Sequence, residues 1–111
     1  MLSDLVARDP DLAAIVRRLV ECYGPERIYL FGSRARADAG ADSDYDLVVL
    51  VPDSADVDRR DCGLFYRNQL GLRRGADVVV TTSSTFDAKA ARVPSSLPAT
   101  VLREGALLYA A

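Results

Sequence analysis

Apolar positions in the N-terminal part of the chain follow the spacing of an α-helix. Over Asp11 to Tyr23, leucine and isoleucine recur every three or four residues, and two valines widen the apolar stripe. This spacing predicts a helix with one buried face. Either Asp9-Pro10 or Asp11 can start this helix, and Gly24-Pro25 ends it.

Short runs rich in β-branched, aliphatic and aromatic residues predict strands. They cover Arg27–Phe31, Asp46–Val51, Ala76–Thr81 and, as a short final strand, Ala106–Tyr109. The second run is apolar at every position after Asp46, so both of its faces are apolar, as in a strand that is covered on both sides. A single layer of helices would cover only one face. We therefore expect the C-terminal segment of the chain, or a protein partner, to cover the other.

The remaining segments predict further helices. Ser33–Ala37 begins a short one, Val57–Leu70 forms another, and a helical turn lies near Phe86–Ala91. A last helix is expected over Ser96–Glu104, where Gly105 breaks it. The resulting order, α-β-α-β-α-β-α-β, predicts an α/β sheet with helices packed on it in a single domain that spans all 111 residues.

Composition narrows the class of protein. Half of the residues are hydrophobic, which is enough for a modest core, and no apolar run approaches the roughly 20 residues that cross a bilayer. The first residues lack the charged-then-apolar pattern of a signal peptide, so we expect a cytoplasmic protein. Cys22 and Cys62 are too few and too isolated to indicate a disulfide framework or a zinc site.

The charged residues restrict the chemistry further. The formal net charge of -2 argues against nonspecific binding of nucleic acid through bulk electrostatics. The chain has no histidine, which excludes a Ser-His-Asp triad, a histidine base and histidine-ligated zinc within it. Any catalysis must therefore use carboxylates, hydroxyls, arginines and metal ions.

A Gly-Ser turn and a pair of aspartates carry the strongest chemical signal. Gly32 and Ser33 follow the first predicted strand, where a residue without a Cβ lets backbone amides approach a phosphate. Asp44 and Asp46 are two residues apart at the start of the next strand and therefore share a face. Neighbouring carboxylates repel unless a cation joins them, and oxygen ligands suit Mg²⁺ or Mn²⁺. Taken separately, a plain turn and a solvated acidic loop are the alternative interpretations.

Asp77 supplies a third carboxylate at the head of another predicted strand. If that strand lies beside Asp46–Val51, Asp77 reaches the same metal. Three carboxylates around a nucleoside triphosphate fit a site with two metal ions, in which Asp77 orients or deprotonates the attacking hydroxyl. The alternative for Asp77 is a carboxylate that only caps its strand.

The block Gly32-Ser33-x-Ala35-Arg36, followed after a loop by Ser43-Asp44-x-Asp46-Leu47, resembles the signature of the minimal nucleotidyltransferases. These belong to the DNA polymerase beta nucleotidyltransferase superfamily, and Asp77 falls where that family has its third carboxylate. The motifs Arg92-Val93-Pro94-x-Ser96-Leu97 and Leu102-Arg103-Glu104-Gly105-x-x-Leu108-Tyr109 are similar to its C-terminal end. The resemblance covers roughly residues 10 to 110.

The resemblance implies the nucleotidyltransferase fold, a small mixed sheet of α+β type that carries helices. It also implies transfer of AMP from ATP to a hydroxyl, with release of pyrophosphate, at a site that holds two Mg²⁺ ions, or Mn²⁺. Catalytic and metal-binding roles are implied for Asp44, Asp46 and Asp77, and nucleotide-binding roles for Gly32, Ser33, Arg36 and Ser43.

The resemblance further implies a partner. Small members commonly act as the antitoxin of a prokaryotic toxin–antitoxin pair whose toxin is a HEPN-domain ribonuclease, inactivated when AMP is added to one of its tyrosines. We expect such a toxin as partner, no direct binding of nucleic acid and no membrane; a homo-oligomer and a hetero-oligomer both stay open. The alternatives are an antitoxin that masks its toxin without catalysis, and nucleotidyl transfer to a small molecule or an RNA end.

Overall fold

The computed structural model describes residues 2–32, 45–53 and 76–111, with side chains from Val78 onward in the last range. The helices expected at Ser33–Ala37 and Val57–Leu70 lie outside the described residues. The described residues form helices α1 (Asp4–Arg8), α2 (Pro10–Tyr23), α3 (Ser83–Arg92) and α4 (Leu97–Glu104), and strands β1 (Arg27–Phe31), β2 (Tyr45–Val51), β3 (Ala76–Thr82) and β4 (Ala106–Ala110).

The predicted N-terminal helix is confirmed as α2, which starts at Pro10, the first of the two expected starts. Pro10 occupies the first turn, and the Asp9 side chain accepts a hydrogen bond from the backbone N–H of Leu12. Gly24 adopts a left-handed conformation with φ of 57° and ends the helix. The ends of α2 are therefore set by local residues that were readable in the sequence.

The four strands form one sheet in the order β3-β2-β1-β4. Strand β1 is antiparallel to both β2 and β4, whereas β2 and β3 are parallel. A β-bulge interrupts the pairing of β1 with β4: Ile28 pairs with Tyr109 and Tyr29 pairs with Leu107, so that Leu108 is the extra residue. This mixed sheet with helices is the α+β architecture that the resemblance implied.

Strand β2 is buried on both faces, as its apolar run predicted. Leu47, Val49 and Val51 pack in a first core with residues of α2, while Val48 and Leu50 pack on the opposite face. The first core comprises Val6, Leu12, Ile15, Val16, Leu19, Ile28, Leu30, Tyr45, Leu47, Val49, Val51 and Leu108. The second core comprises Val48, Leu50, Phe86 and Val101, with Tyr29 and Phe31 packed against it.

The C-terminal segment covers the second face, which answers the question that the sequence left open. Phe86 of α3 stacks on Tyr29 of β1 with ring centroids 5.8 Å apart, and Val101 of α4 packs in the same core. The helical turn expected near Phe86–Ala91 is the ten-residue helix α3. Thr82 caps its start by accepting a hydrogen bond from the backbone N–H of Thr85, a signal that the sequence analysis did not use.

Helix α1 was not predicted, because its five residues are too few for a periodic pattern. Its one buried residue, Val6, joins the first core, and Leu2 forms a single bridge with Tyr109 of β4. Neither α1 nor any other helix in the described ranges has the length and apolar composition needed to span a membrane.

We predict that Leu19→Ala lowers the free energy of unfolding by about 2–5 kcal/mol, because Leu19 is 1 % exposed in the first core and its removal leaves a cavity. The same substitution at Leu102, which is 47 % exposed on α4, should change that free energy by no more than about 0.5 kcal/mol. Urea unfolding followed by circular dichroism measures both. Equal losses would show that the first core does not carry the stability assigned to it.

Candidate functional site

The predicted site residues that the structure describes, Gly32, Asp46 and the backbone of Asp77, lie at one end of the sheet. Strand β1 ends there, and β2 and β3 both begin there, because β1 is antiparallel to β2 and β2 is parallel to β3. Phe31 pairs with Asp46, and Asp46 pairs in turn with Asp77. The backbones of two predicted carboxylate residues are therefore side by side on neighbouring strands, immediately next to the end of β1.

Gly32 follows Phe31 and lies directly against Asp46. Its φ is 77°, in the left-handed region that residues with a side chain rarely adopt. A Cβ at this position would lie 2.5 Å from Oδ2 of Asp46 and 3.4 Å from its Cγ. Both the backbone conformation and the contact with the Asp46 carboxylate therefore require glycine at position 32.

The Asp46 side chain is half-buried, at the edge of the second core rather than within it. Its neighbours along the strand alternate: Tyr45 and Leu47 belong to the first core, and Val48 to the second. By this alternation Asp46 is on the second face of the sheet, paired with Phe31, the residue with which β1 ends.

Of the seven predicted site residues, the structure brings together Gly32, Asp46 and the backbone of Asp77. The other four lie outside the described residues: Ser33, Arg36, Ser43 and Asp44. Among the side chains that the structure describes, no group of three or more histidine, cysteine, aspartate or glutamate residues is close enough to hold a metal ion.

Tyr45 is a residue that the sequence analysis missed. Its side chain is fully buried in the first core, and its hydroxyl donates a 2.7 Å hydrogen bond to Oδ2 of Asp9, the residue that caps α2. Period-two alternation could have placed Tyr45 on the face opposite the aspartates. Its partner could not have been found, because Asp9 is 36 residues away along the chain.

The opposite end of β1 carries a charged pair of another kind. The Arg27 guanidinium donates to both carboxylate oxygens of Asp87 and to the hydroxyl of Tyr29. Burial desolvates the guanidinium and by itself lowers its pKa, but the hydrogen bonds to Asp87 and Tyr29 outweigh this and raise the pKa of Arg27. This pair joins β1 to α3 and is far along the strand from Gly32, so it is structural.

The groups that could bind a ligand at this end of the sheet are carboxylate oxygens and backbone N–H groups. Carboxylate oxygens are the ligands that Mg²⁺ and Mn²⁺ prefer. Gly32 brings the backbone against the Asp46 carboxylate, where any side chain would collide with it. This carboxylate and the adjoining backbone are groups that fit a divalent cation and the phosphates that accompany it. With no histidine in the chain, carboxylates are the natural proton acceptors at this site.

We predict that Gly32→Ala costs more stability than the matched substitution Gly24→Ala. Both glycines have a positive φ, so the strained backbone lowers the free energy of unfolding of both variants by about 1–2 kcal/mol. A Cβ at Gly24 meets nothing within 4 Å, whereas a Cβ at Gly32 collides with the Asp46 carboxylate. Urea unfolding of the two variants gives the difference. Equal losses would mean that the Asp46 carboxylate moves aside freely and is not held against Gly32.

Comparison with known proteins relates this arrangement to a family. A family model for the nucleotidyltransferase domain matches residues 11–96, a range that contains Gly32, Asp46 and Asp77. A comparison with curated protein sequences finds no significant match.

One similar solved structure is described as a toxin-antitoxin crystallised with AMP-PNP. The two chains are 23 % identical and superpose with a TM-score of 0.60 over 89 % of this chain and 73 % of the other, which shows a shared fold. The family model matches well over half of the residues of this chain, so the chain belongs to the nucleotidyltransferase domain family.

Proposed function

We propose that this protein is a Mg²⁺-dependent nucleotidyltransferase that transfers AMP from ATP to a tyrosine hydroxyl of a HEPN-domain toxin, and so acts as the antitoxin of that toxin. The observation that carries the proposal is the register of Phe31, Asp46 and Asp77 at one end of the sheet, with Gly32 directly against the Asp46 carboxylate.

The register supports a shared metal site. Residues paired on neighbouring strands are separated by about 4.8 Å in the hydrogen-bonding direction, a spacing that suits two carboxylates around one or two divalent ions. We propose Asp44, Asp46 and Asp77 as the ligands. When bound, the ions would neutralise charge on the triphosphate and polarise its α-phosphate.

The turn after β1 supports a phosphate-binding role. Gly32 brings the backbone of this turn against the Asp46 carboxylate, and the following residues would offer backbone N–H groups and a hydroxyl to the phosphate oxygens. We propose Gly32, Ser33, Arg36 and Ser43 as nucleotide-binding residues.

The transfer itself needs few groups from the protein. The acceptor oxygen forms a bond to the α-phosphorus, the bond from that phosphorus to the bridging oxygen of the β-phosphate breaks, and pyrophosphate leaves. The acceptor hydroxyl loses its proton to a carboxylate, a role we assign to Asp77. The other residues of the site orient the triphosphate so that the attacking and leaving oxygens are in line.

The choice of acceptor rests on two supports. The sequence resembles the minimal nucleotidyltransferases, and a protein that shares the fold is described as a toxin-antitoxin with an ATP analogue. The family match by itself supports nucleotidyl transfer and leaves the acceptor open.

We predict that Asp46→Asn lowers nucleotidyl transfer by about 100-fold or more, because it removes a charge that holds the cation while keeping the size of the side chain. ATP labelled on its α-phosphate is incubated with Mg²⁺, purified protein and host lysate, and resolved on a denaturing gel. The expected result is one labelled protein band, identified by mass spectrometry, that weakens with Asp46→Asn and disappears with Asp77→Ala.

The matched control is Asp53→Asn. Asp53 follows the other end of β2, is exposed, and accepts hydrogen bonds from Ser84, so its substitution should leave transfer unchanged. Full labelling by a folded Asp46→Asn protein would refute the proposed metal site. A labelled small molecule or RNA with no labelled protein would refute the protein acceptor. Toxin neutralisation that persists in Asp44→Asn/Asp46→Asn would refute catalysis as the means of inhibition.

A further inference from the structure

Tyr45 lies between the two aspartates of the Asp-x-Asp motif and is anchored away from them. We propose that Tyr45 and Asp9 are positioning residues, which hold the first residues of β2 so that the Asp46 carboxylate stays in place for the metal. This inference rests on the proposed function, because it concerns the metal site proposed there.

The burial of Tyr45 gives the anchor its rigidity. The side chain is 0 % exposed and belongs to the first core with Leu47 and Val49, whereas Asp46 lies at the edge of the other face. Because alternate residues of a strand face opposite ways, a Tyr45 held in the core determines the side on which Asp46 emerges.

Asp9 is itself held firmly, so it can serve as a fixed point. Its Oδ1 accepts from the backbone N–H of Leu12 at 3.3 Å while its Oδ2 accepts from the Tyr45 hydroxyl at 2.7 Å. Its backbone carbonyl also accepts from the N–H of Ala13 at 2.9 Å, in the first turn of α2. One carboxylate therefore caps the helix and binds the strand at the same time.

The position of Tyr45 in the sheet explains why an anchor is needed there. In the described part of the chain, the ladder from β2 to β1 ends at the pair of Asp46 with Phe31. The ladder to β3 extends one residue further, to the pair of Tyr45 with Ala76. Tyr45 therefore lies one residue beyond the last described pair with β1. Its side chain holds the start of β2 there, through the hydrogen bond to Asp9 that connects β2 to α2.

The hydrogen bond between Tyr45 and Asp9 can be removed without unfolding the protein, because of what surrounds it. An open cleft of about 280 Å³ adjoins it, lined by Leu5, Arg8, Asp9, Leu12, Leu30 and Tyr45. In Tyr45→Phe the ring still fills the core, and water in the cleft can satisfy the Asp9 carboxylate. The variant should therefore fold and lose only the connection between β2 and α2.

The test measures the binding of Mn²⁺ by electron paramagnetic resonance, in the presence of AMP-PNP, for the full chain. We expect Tyr45→Phe to raise the Kd for Mn²⁺ about tenfold, the lower end of the loss that supporting residues of metal sites cause. Asp9→Ser should have the same effect, because serine still caps α2 but is too short to reach the Tyr45 hydroxyl. The double variant should bind Mn²⁺ no more weakly than either single variant, since the two substitutions remove the same hydrogen bond.

The matched control is Tyr29→Phe. Like Tyr45→Phe, it removes one tyrosine hydroxyl that takes part in a hydrogen bond. The partner of the Tyr29 hydroxyl is Arg27, at the end of β1 remote from Gly32. We expect it to leave the Kd for Mn²⁺ unchanged, whatever it does to the melting temperature.

Asp46→Asn separates failure of this inference from failure of the proposed function. If Asp46→Asn weakens Mn²⁺ binding while Tyr45→Phe lowers only the melting temperature, Tyr45 is merely structural and the positioning role is refuted, although the metal site stands. If Asp46→Asn binds Mn²⁺ as the wild type does, the proposed metal site is refuted and the positioning role with it.

Discussion

The burial of β2 on both faces is the constraint on which the rest of this structure depends. A strand whose Leu47, Val49 and Val51 face one way and whose Val48 and Leu50 face the other cannot be left with either side in water. Helix α2 covers the first face, and the C-terminal helices α3 and α4 cover the second. The chain before the sheet and the chain after it are therefore both needed to complete a core around one strand.

The same constraint decides where the polar chemistry can be. A strand covered on both faces has room for carboxylates only at its ends, where the core stops. At the end where β2 begins, Asp46 lies against Gly32 and beside Asp77 in the ladder. At the other end of β1, Arg27 and Asp87 form an ion pair that joins β1 to α3.

Local signals in the sequence were enough for most of the elements. These signals act through neighbouring backbone groups. They are the Asp9-Pro10 start and the Gly24 end of α2, Gly32 after β1, and Ser96 before α4. Where the signal was short or weak, prediction fell short. Helix α1 buries only Val6, and α3 buries only Phe86, so neither shows the apolar period by which longer helices are recognised.

What the sequence by itself determined was helices α2 and α4, the four strands, the double burial of β2 and the grouping of Gly32 with Asp46, because these depend on residues that are close along the chain. The tertiary structure alone decided the strand order, the register that pairs Asp46 with Asp77, and the bond between Tyr45 and Asp9. The last two join residues 31 and 36 positions apart. Such pairings are selected by the packing of the whole core, which no local pattern encodes.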